Sequence, residues 1–256
     1  MEQRKKNNPK SNSRVFPFGE TGALKLKVCG MKYVENIQEV AELQPDYLGF
    51  IFYEKSPRNF EGIIPDLPNS IKKVGVFVNE IPEILVSIVE EYQLDAIQLH
   101  GDESVDYIKS IREQLAFSRA SFIEENKGRK KVKKPKSYDN IEIIKVFGIK
   151  DDFNFDVLQS YLPIVDYFLF DTKGEQRGGN GVKFDWKVLE NYPFKKPFFL
   201  SGGIGFDDVN EVKDIRNSDL PIYVLDVNSK FEIEPGVKKI EELKKFKQSV
   251  ITNEVK

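Results

Sequence analysis

From Leu24 onward, short β-branched or aromatic runs alternate with longer segments whose apolar residues recur at helical spacing, and this rhythm restricts the fold more than any other feature. Strand-like runs occupy Leu24 to Val28, Tyr47 to Phe52, Lys73 to Val78, Ala96 to Leu99, Ile141 to Phe147, Val165 to Phe170, Pro197 to Leu200 and Ile222 to Leu225. Helix-patterned segments lie between them at Val34 to Leu43, Pro82 to Tyr92, Glu103 to Arg112, Asn154 to Leu162, Trp186 to Tyr192 and Asp207 to Ile215. Asn59 to Pro68 is only weakly helical, and a closing helix from Val237 to about Val250 puts Ile240, Leu243, Phe246 and Val250 on one face. Eight strand-helix units in 256 residues favour an α/β fold with a parallel sheet closed into a single-domain (β/α)8 barrel of the TIM type. An open doubly wound sheet is the alternative, since the pattern does not reveal whether the first and last strands meet.

The barrel is expected to span residues 24–250, flanked by a polar tail at 1–23 and a short one at 251–256. The N-terminal stretch has no apolar signal region and no amphipathic face, and reads as a disordered tail. No apolar run approaches the roughly 18 to 20 residues of a membrane span. With a net charge of −2 and a single cysteine, the chain is expected in the cytoplasm, without membrane or nucleic-acid partners. Residues 117–140 are long for a loop between the fourth helix and the fifth strand, and Lys127 to Lys136 is strongly basic. That run reads as a solvated surface insertion, because no aromatic stacking residues are interleaved with its charges; a nucleic-acid patch is the alternative.

Chemistry-bearing residues cluster at or past the strand runs: Cys29, Arg58, His100, Asp171, Ser201-Gly202-Gly203 and Asp226. In a barrel these loops share the C-terminal face, where active sites are built. Cys29 is the only cysteine, so it is either an inert packed thiol or an acid-base or nucleophilic group. Asp171 is either a loop-capping carboxylate or an acid partner for that thiol. Gly202-Gly203 after the seventh run and Asp226-Val227-Asn228-Ser229 after the eighth stand where barrels bind phosphate through exposed backbone N–H groups. With His100 the only histidine, multi-His zinc sites are excluded, and neither a Walker A sequence nor a nucleophile elbow occurs. No metal or cofactor is expected.

Seven ordered motifs carry a family resemblance. They are Lys27-Val28-Cys29-Gly30; Gly49-Phe50-Ile51-Phe52 with Ser56-Pro57-Arg58; Val74 to Asn79; Gln98-Leu99-His100-Gly101-Asp102-Glu103; Phe170-Asp171-Thr172 with Gly178-Gly179-Asn180-Gly181 and Phe184-Asp185-Trp186; Leu200 to Ile204; and Asp226 to Ser229 with Glu232 and Pro235-Gly236. In this order, from Leu24 to about Phe246, the chain resembles phosphoribosylanthranilate isomerase. The resemblance implies a cofactor-free barrel of tryptophan biosynthesis that rearranges N-(5'-phosphoribosyl)anthranilate into a carboxyphenylamino-deoxyribulose phosphate; the sequence leaves its state, monomer or homodimer, open. It implies Cys29 as general base, Asp171 as general acid and Arg58 as holder of the anthranilate carboxylate. Gly202, Gly203, Asn228 and Ser229 then belong to the phosphate site, Asp226 lies beside the anthranilate, and Gln98 and His100 complete the substrate-binding set. The family usually has glycine where this chain has Lys230, which leaves open either an altered phosphate loop or an added charge. Indole-glycerol-phosphate synthase, a related barrel, calls for a catalytic lysine and glutamate at strand ends, and a Cys29 and Asp171 pair argues against it.

Overall fold

The computed structural model describes residues 24–125, 138, 141–150, 152–172 and 184–251. The expected tail at 1–23, residues 252–256 of the tail expected at 251–256, the basic run Lys127 to Lys136 and the Gly178 to Gly181 motif lie outside the described residues. Eight parallel strands form a closed barrel in sequence order: β1 (Lys25–Val28), β2 (Tyr47–Phe52), β3 (Lys72–Phe77), β4 (Ala96–Leu99), β5 (Glu142–Ile149), β6 (Tyr167–Thr172), β7 (Phe198–Leu200) and β8 (Ile222–Val227). Closure comes from β1 pairing with β8 over Lys25↔Val224 to Val28↔Val227, which excludes the open sheet. The α-helices are α1 (Val34–Glu42), α2 (Pro82–Tyr92), α3 (Val105–Glu125), α4 (Val209–Arg216) and α5 (Ile240–Val250).

Several expected elements differ from those found. No helix follows β2, where Pro65 and Pro68 interrupt the chain. The segments expected as helices at Asn154 to Leu162 and Trp186 to Tyr192 are short 3-10 helices, Phe155–Leu158 and Trp186–Asn191, each capped by the preceding Asn154 or Asp185 side chain and soon followed by a proline, Pro163 or Pro193. Helix α3 begins later than expected and runs on through residues 117–125, because no Gly or Pro breaks it; that part of the expected insertion loop is helical. The closing helix starts at Ile240. Before it, β9 (Glu232–Glu234) and β10 (Val237–Lys238) form a hairpin through Pro235 and Gly236, the latter at φ +91°. Asp171 and Asp226, expected just past their strands, lie within β6 and β8, paired with Gly148 and Lys27.

Alternation along the strands sorts side chains to two sides of the wall. Leu26, Val28, Phe50, Phe168 and Phe170 belong to the large core between wall and helices. Tyr47, Val74, Ile144, Leu169, Phe199 and Val224 fill the barrel interior as a separate apolar cluster. A barrel packed this way is solid below, so a ligand site is confined to the rim at the strands' C-terminal ends.

Candidate active site

Above the apolar interior the same strand faces turn polar. Val224 is two residues before Asp226, Leu169 two before Asp171, and Ala96 two before Gln98. On β1 the corresponding interior position is Lys27, followed two residues later by Cys29. Lys27 and Asp226 face each other across the β1–β8 seam and form an ion pair of 2.7 Å, with side-chain exposures of 0% and 5%. Burial favours the neutral lysine, but the charges and hydrogen bonds of Asp226 and Cys29 together outweigh it and raise the Lys27 pKa; burial pushes the Asp226 carboxyl up against the pull of Lys27. Among the described residues, Asp226 Oδ1 and Gln98 Oε1 are buried acceptors with no hydrogen-bond partner. Buried acceptors of this kind are matched by a ligand's N–H or O–H groups when one binds.

Two glycines shape the surroundings of Cys29, Gly49 against its thiol and Gly30 against Arg58 and Asn228. A Cβ on Gly49 of β2 would come within 2.8 Å of Cys29 Sγ. Gly30 takes φ +74° and a Cβ there would come within 2.7 Å of both Arg58 Cδ and Asn228 Oδ1. The Cys29 N–H donates to Val227 O at 2.9 Å, fixing the residue against β8. Burial pushes the thiol pKa up, the Lys27 and Lys238 charges pull it down, and Asp226 opposes them.

Arg58, in the loop after β2, donates Nε and Nη2 side-on to Glu232, with distances of 2.6 to 2.9 Å. Glu232 Oε1 also accepts from Lys238 Nζ at 2.6 Å, and Lys238 Nζ donates to Asn228 Oδ1 at 2.7 Å. Burial would raise the Glu232 pKa, but hydrogen bonds and charge from Arg58 and Lys238 outweigh it and hold the carboxyl below its usual range. The guanidinium is thereby fixed along one edge, and its Nη1 end is the edge suited to a second carboxylate.

Asp171 Oδ1 accepts from the Thr172 N–H at 2.8 Å, and Oδ2 lies 3.5 Å from His100 Nε2. Gln98 Nε2 and His100 Nδ1 are 3.4 Å apart. The His100 loop is anchored from beneath by Glu103, which accepts from the Asn79 and Gly101 N–H groups and pairs with buried Lys145 at 3.1 Å. Glu103, expected at a helix start, is thus a loop anchor. On the far side of Asp171, Gly202 adopts φ +99° where a Cβ would collide with Thr172 Oγ1.

The loops after β7 and β8 meet at Gly205 and Lys230: a Cβ on Gly205 would lie 3.3 Å from Lys230 Cβ. Gly203 has φ +67°. Asn228 precedes a 3-10 turn at Ser229–Phe231, and Lys230 sits in that turn without the positive φ that would require glycine. The loop after β8 is therefore formed without a glycine at position 230.

All ten residues singled out in the sequence, Cys29, Arg58, Gln98, His100, Asp171, Gly202, Gly203, Asp226, Asn228 and Ser229, lie at this one rim. The sequence reasoning missed Lys27, Gly49, Glu232 and Lys238 as parts of the site. Lys27 carried a usable signal, a charge alternating with Leu26 and Val28 in a strand-like run. Among the described residues, no group of three or more His, Cys, Asp or Glu side chains is placed to hold a metal ion.

A family model described as N-(5'phosphoribosyl)anthranilate (PRA) isomerase matches residues 26–139 and 127–249. The N-(5'-phosphoribosyl)anthranilate isomerase of Parabacteroides distasonis is 37% identical over 233 residues, covering 88% of this chain and 93% of that protein. The enzyme of the same name from Petrotoga mobilis is 32% identical over 228 residues, covering 86% and 94%. Among solved structures, phosphoribosyl anthranilate isomerase from Thermotoga maritima superposes with a TM-score of 0.67 at 27% identity, covering 89% of this chain and 98% of that one. A phosphoribosyl anthranilate isomerase in complex with reduced 1-(o-carboxyphenylamino)-1-deoxyribulose 5-phosphate gives 0.65 at 26% identity, with the same coverage.

Proposed function

The chain belongs to the N-(5'-phosphoribosyl)anthranilate isomerase family and is an isomerase of tryptophan biosynthesis, and on that footing we propose that Cys29 and Asp171 carry its proton transfers. The carrying observation is the convergence of the two groups on one rim around the Lys27–Asp226 pair, with Asp226 Oδ1 left unpartnered toward a ligand.

The substrate is a furanosyl amine, and its rearrangement needs an acid at the ring oxygen and a base at C2'. Protonation of the ring oxygen by Asp171 breaks the C1'–O bond and leaves an iminium between C1' and the anthranilate nitrogen. With Oδ1 held by the Thr172 N–H, Asp171 Oδ2 is the oxygen that delivers this proton. Cys29 then removes the C2' proton, the electron pair forms the C1'–C2' double bond, and the iminium charge is discharged at nitrogen. Ketonisation of the resulting enol, with a proton added at C1', gives the aminoketose. No electrons leave the substrate, so the chemistry calls for no redox partner.

Arg58 takes the anthranilate carboxylate on its free edge, held in orientation by Glu232. Asp226 Oδ1 accepts from the anthranilate nitrogen, and Gln98 and His100 line the ribose side. Gly202, Gly203, Asn228 and Ser229 receive the phosphate through backbone and side-chain donors of the two facing loops. The direct test mixes purified protein with freshly made phosphoribosylanthranilate and follows the loss of its fluorescence. Enzyme-dependent loss abolished in Asp171→Asn is expected; undiminished loss in a folded Asp171→Asn protein would remove Asp171 from the mechanism.

A further inference from the structure

We propose that Lys27 is a positioning residue for the reacting thiol, its buried ammonium holding the anionic form of Cys29 in place on the barrel wall. Lys27 and Cys29 are two residues apart along β1 and its exit, so their side chains leave the wall on the same side, toward the site. The Lys27 side chain has no exposure, and an ammonium without water needs anions around it. Asp226 Oδ2 accepts from Lys27 Nζ at 2.7 Å, which uses one of three N–H donors, and the Cys29 side chain is its second hydrogen-bonding neighbour.

The groups facing Cys29 come from every neighbouring element. Lys27 stands on β1, Asp226 on β8 and Lys238 on β10, with the Arg58–Glu232 pair behind Lys238 and with Asp171 and His100 across from Asp226. Within the cluster nearest the thiol, the three cations Lys27, Lys238 and Arg58 meet two carboxylates, Asp226 and Glu232. When Cys29 ionises, its thiolate adds a third anion beside these three cations. The ion pair alone does not account for Lys27, since well-packed neutral replacements of buried pairs are often as stable or more so. Burial is the larger influence and leaves the thiol pKa above its usual value, and the Lys27 charge is the foremost group pulling it back toward the anion.

The inference rests on Cys29 acting as the base, and the test separates the two. Cys29 is the only cysteine, so thiolate ultraviolet absorbance referenced to Cys29→Ala, and the pH dependence of iodoacetamide alkylation, each read that one group. An opposite charge within about 4–6 Å moves a pKa by about 1–3 units, so Lys27→Met should raise the thiol midpoint by about one unit or more. Alkylation at a fixed pH below the midpoint should slow about tenfold for each unit moved. The limb of kcat/KM that reports the base should move to higher pH by the same amount. If Lys27→Met does not fold because Asp226 is left uncompensated, Lys27→Met with Asp226→Asn is compared with Asp226→Asn alone, and the same upward displacement is expected. An unmoved midpoint in either folded comparison overturns the proposal while leaving Cys29 as base. A moved midpoint together with a fully active Cys29→Ala enzyme overturns the base assignment, and with it the catalytic purpose of Lys27.

Discussion

Gly49→Ala should damage catalysis by displacing Cys29. The added Cβ would sit 2.8 Å from Cys29 Sγ, 3.2 Å from its Cα and 3.3 Å from its Cβ, where carbon contacts settle at about 3.5–4.0 Å. Neither backbone yields easily. The Gly49 carbonyl accepts from the Met31 N–H at 3.0 Å, and the Cys29 N–H is tied to Val227 O at 2.9 Å. The strain therefore falls mainly on the thiol, which must move by roughly 0.7–1.2 Å to restore ordinary contact. Overpacking of this kind costs about 1–3 kcal/mol. For a domain near this size each kcal/mol lowers Tm by about 2–4 °C, so a fall of about 2–12 °C is expected. A reacting group misplaced by about 1 Å loses about a hundredfold in rate, so kcat should drop about 10- to 100-fold while KM changes little. Thermal denaturation and steady-state fluorescence kinetics on the same preparation measure both. A folded Gly49→Ala enzyme with wild-type kcat would refute the seating of Cys29 against β2.

Arg58→Ala should raise KM far more than it lowers kcat, because a carboxylate anchor acts on ground and transition states alike; an unchanged KM would move Arg58 to another role. Glu232→Gln should also raise KM, by loosening the Arg58 fork, and should lower Tm because Arg58 and Lys238 lose their shared buried carboxylate. Since the folded Glu232 carboxyl is held below its unfolded value, its stabilisation is full above about pH 4.3 and is lost as pH falls through the folded value. The Tm difference between wild type and Glu232→Gln should accordingly shrink in acid, and a constant difference would contradict the pairing. Lys230→Gly should leave Tm within about 2–4 °C, as expected for a loss below about 1 kcal/mol, because Lys230 does not occupy a left-handed conformation. If the Lys230 charge assists the phosphate, inhibition by inorganic phosphate should weaken in the same variant.

The barrel was legible because strand and helix periods are local, and eight repeats of them leave few topologies. The helices that failed, at Asn154 to Leu162 and Trp186 to Tyr192, are short segments where tertiary packing of Phe155, Leu158, Trp186 and Leu189 sets the geometry over local propensity. In the site, Cys29, Asp171 and the loop glycines could be placed from their positions relative to strand ends. The partners could not. Lys27 and Asp226 are 199 residues apart, and Arg58 and Glu232 are 174 apart, so their pairing follows only from closure of β1 on β8 and from the hairpin that returns over the rim. Whether Lys230 alters its loop was not legible for a related reason, since the family pattern carries no φ; the local 3-10 turn accommodates lysine without a positive φ.

Single-turnover conversion of phosphoribosylanthranilate by Cys29→Ala, measured beside binding of reduced carboxyphenylamino-deoxyribulose phosphate to the same protein, addresses the proton-transfer assignment most directly. Removal of a positioned base predicts a rate lower by about 10² or more, with the analogue still bound near wild-type affinity. Near-normal turnover by the alanine variant would contradict the account and leave Cys29 as a packed thiol beside a different base.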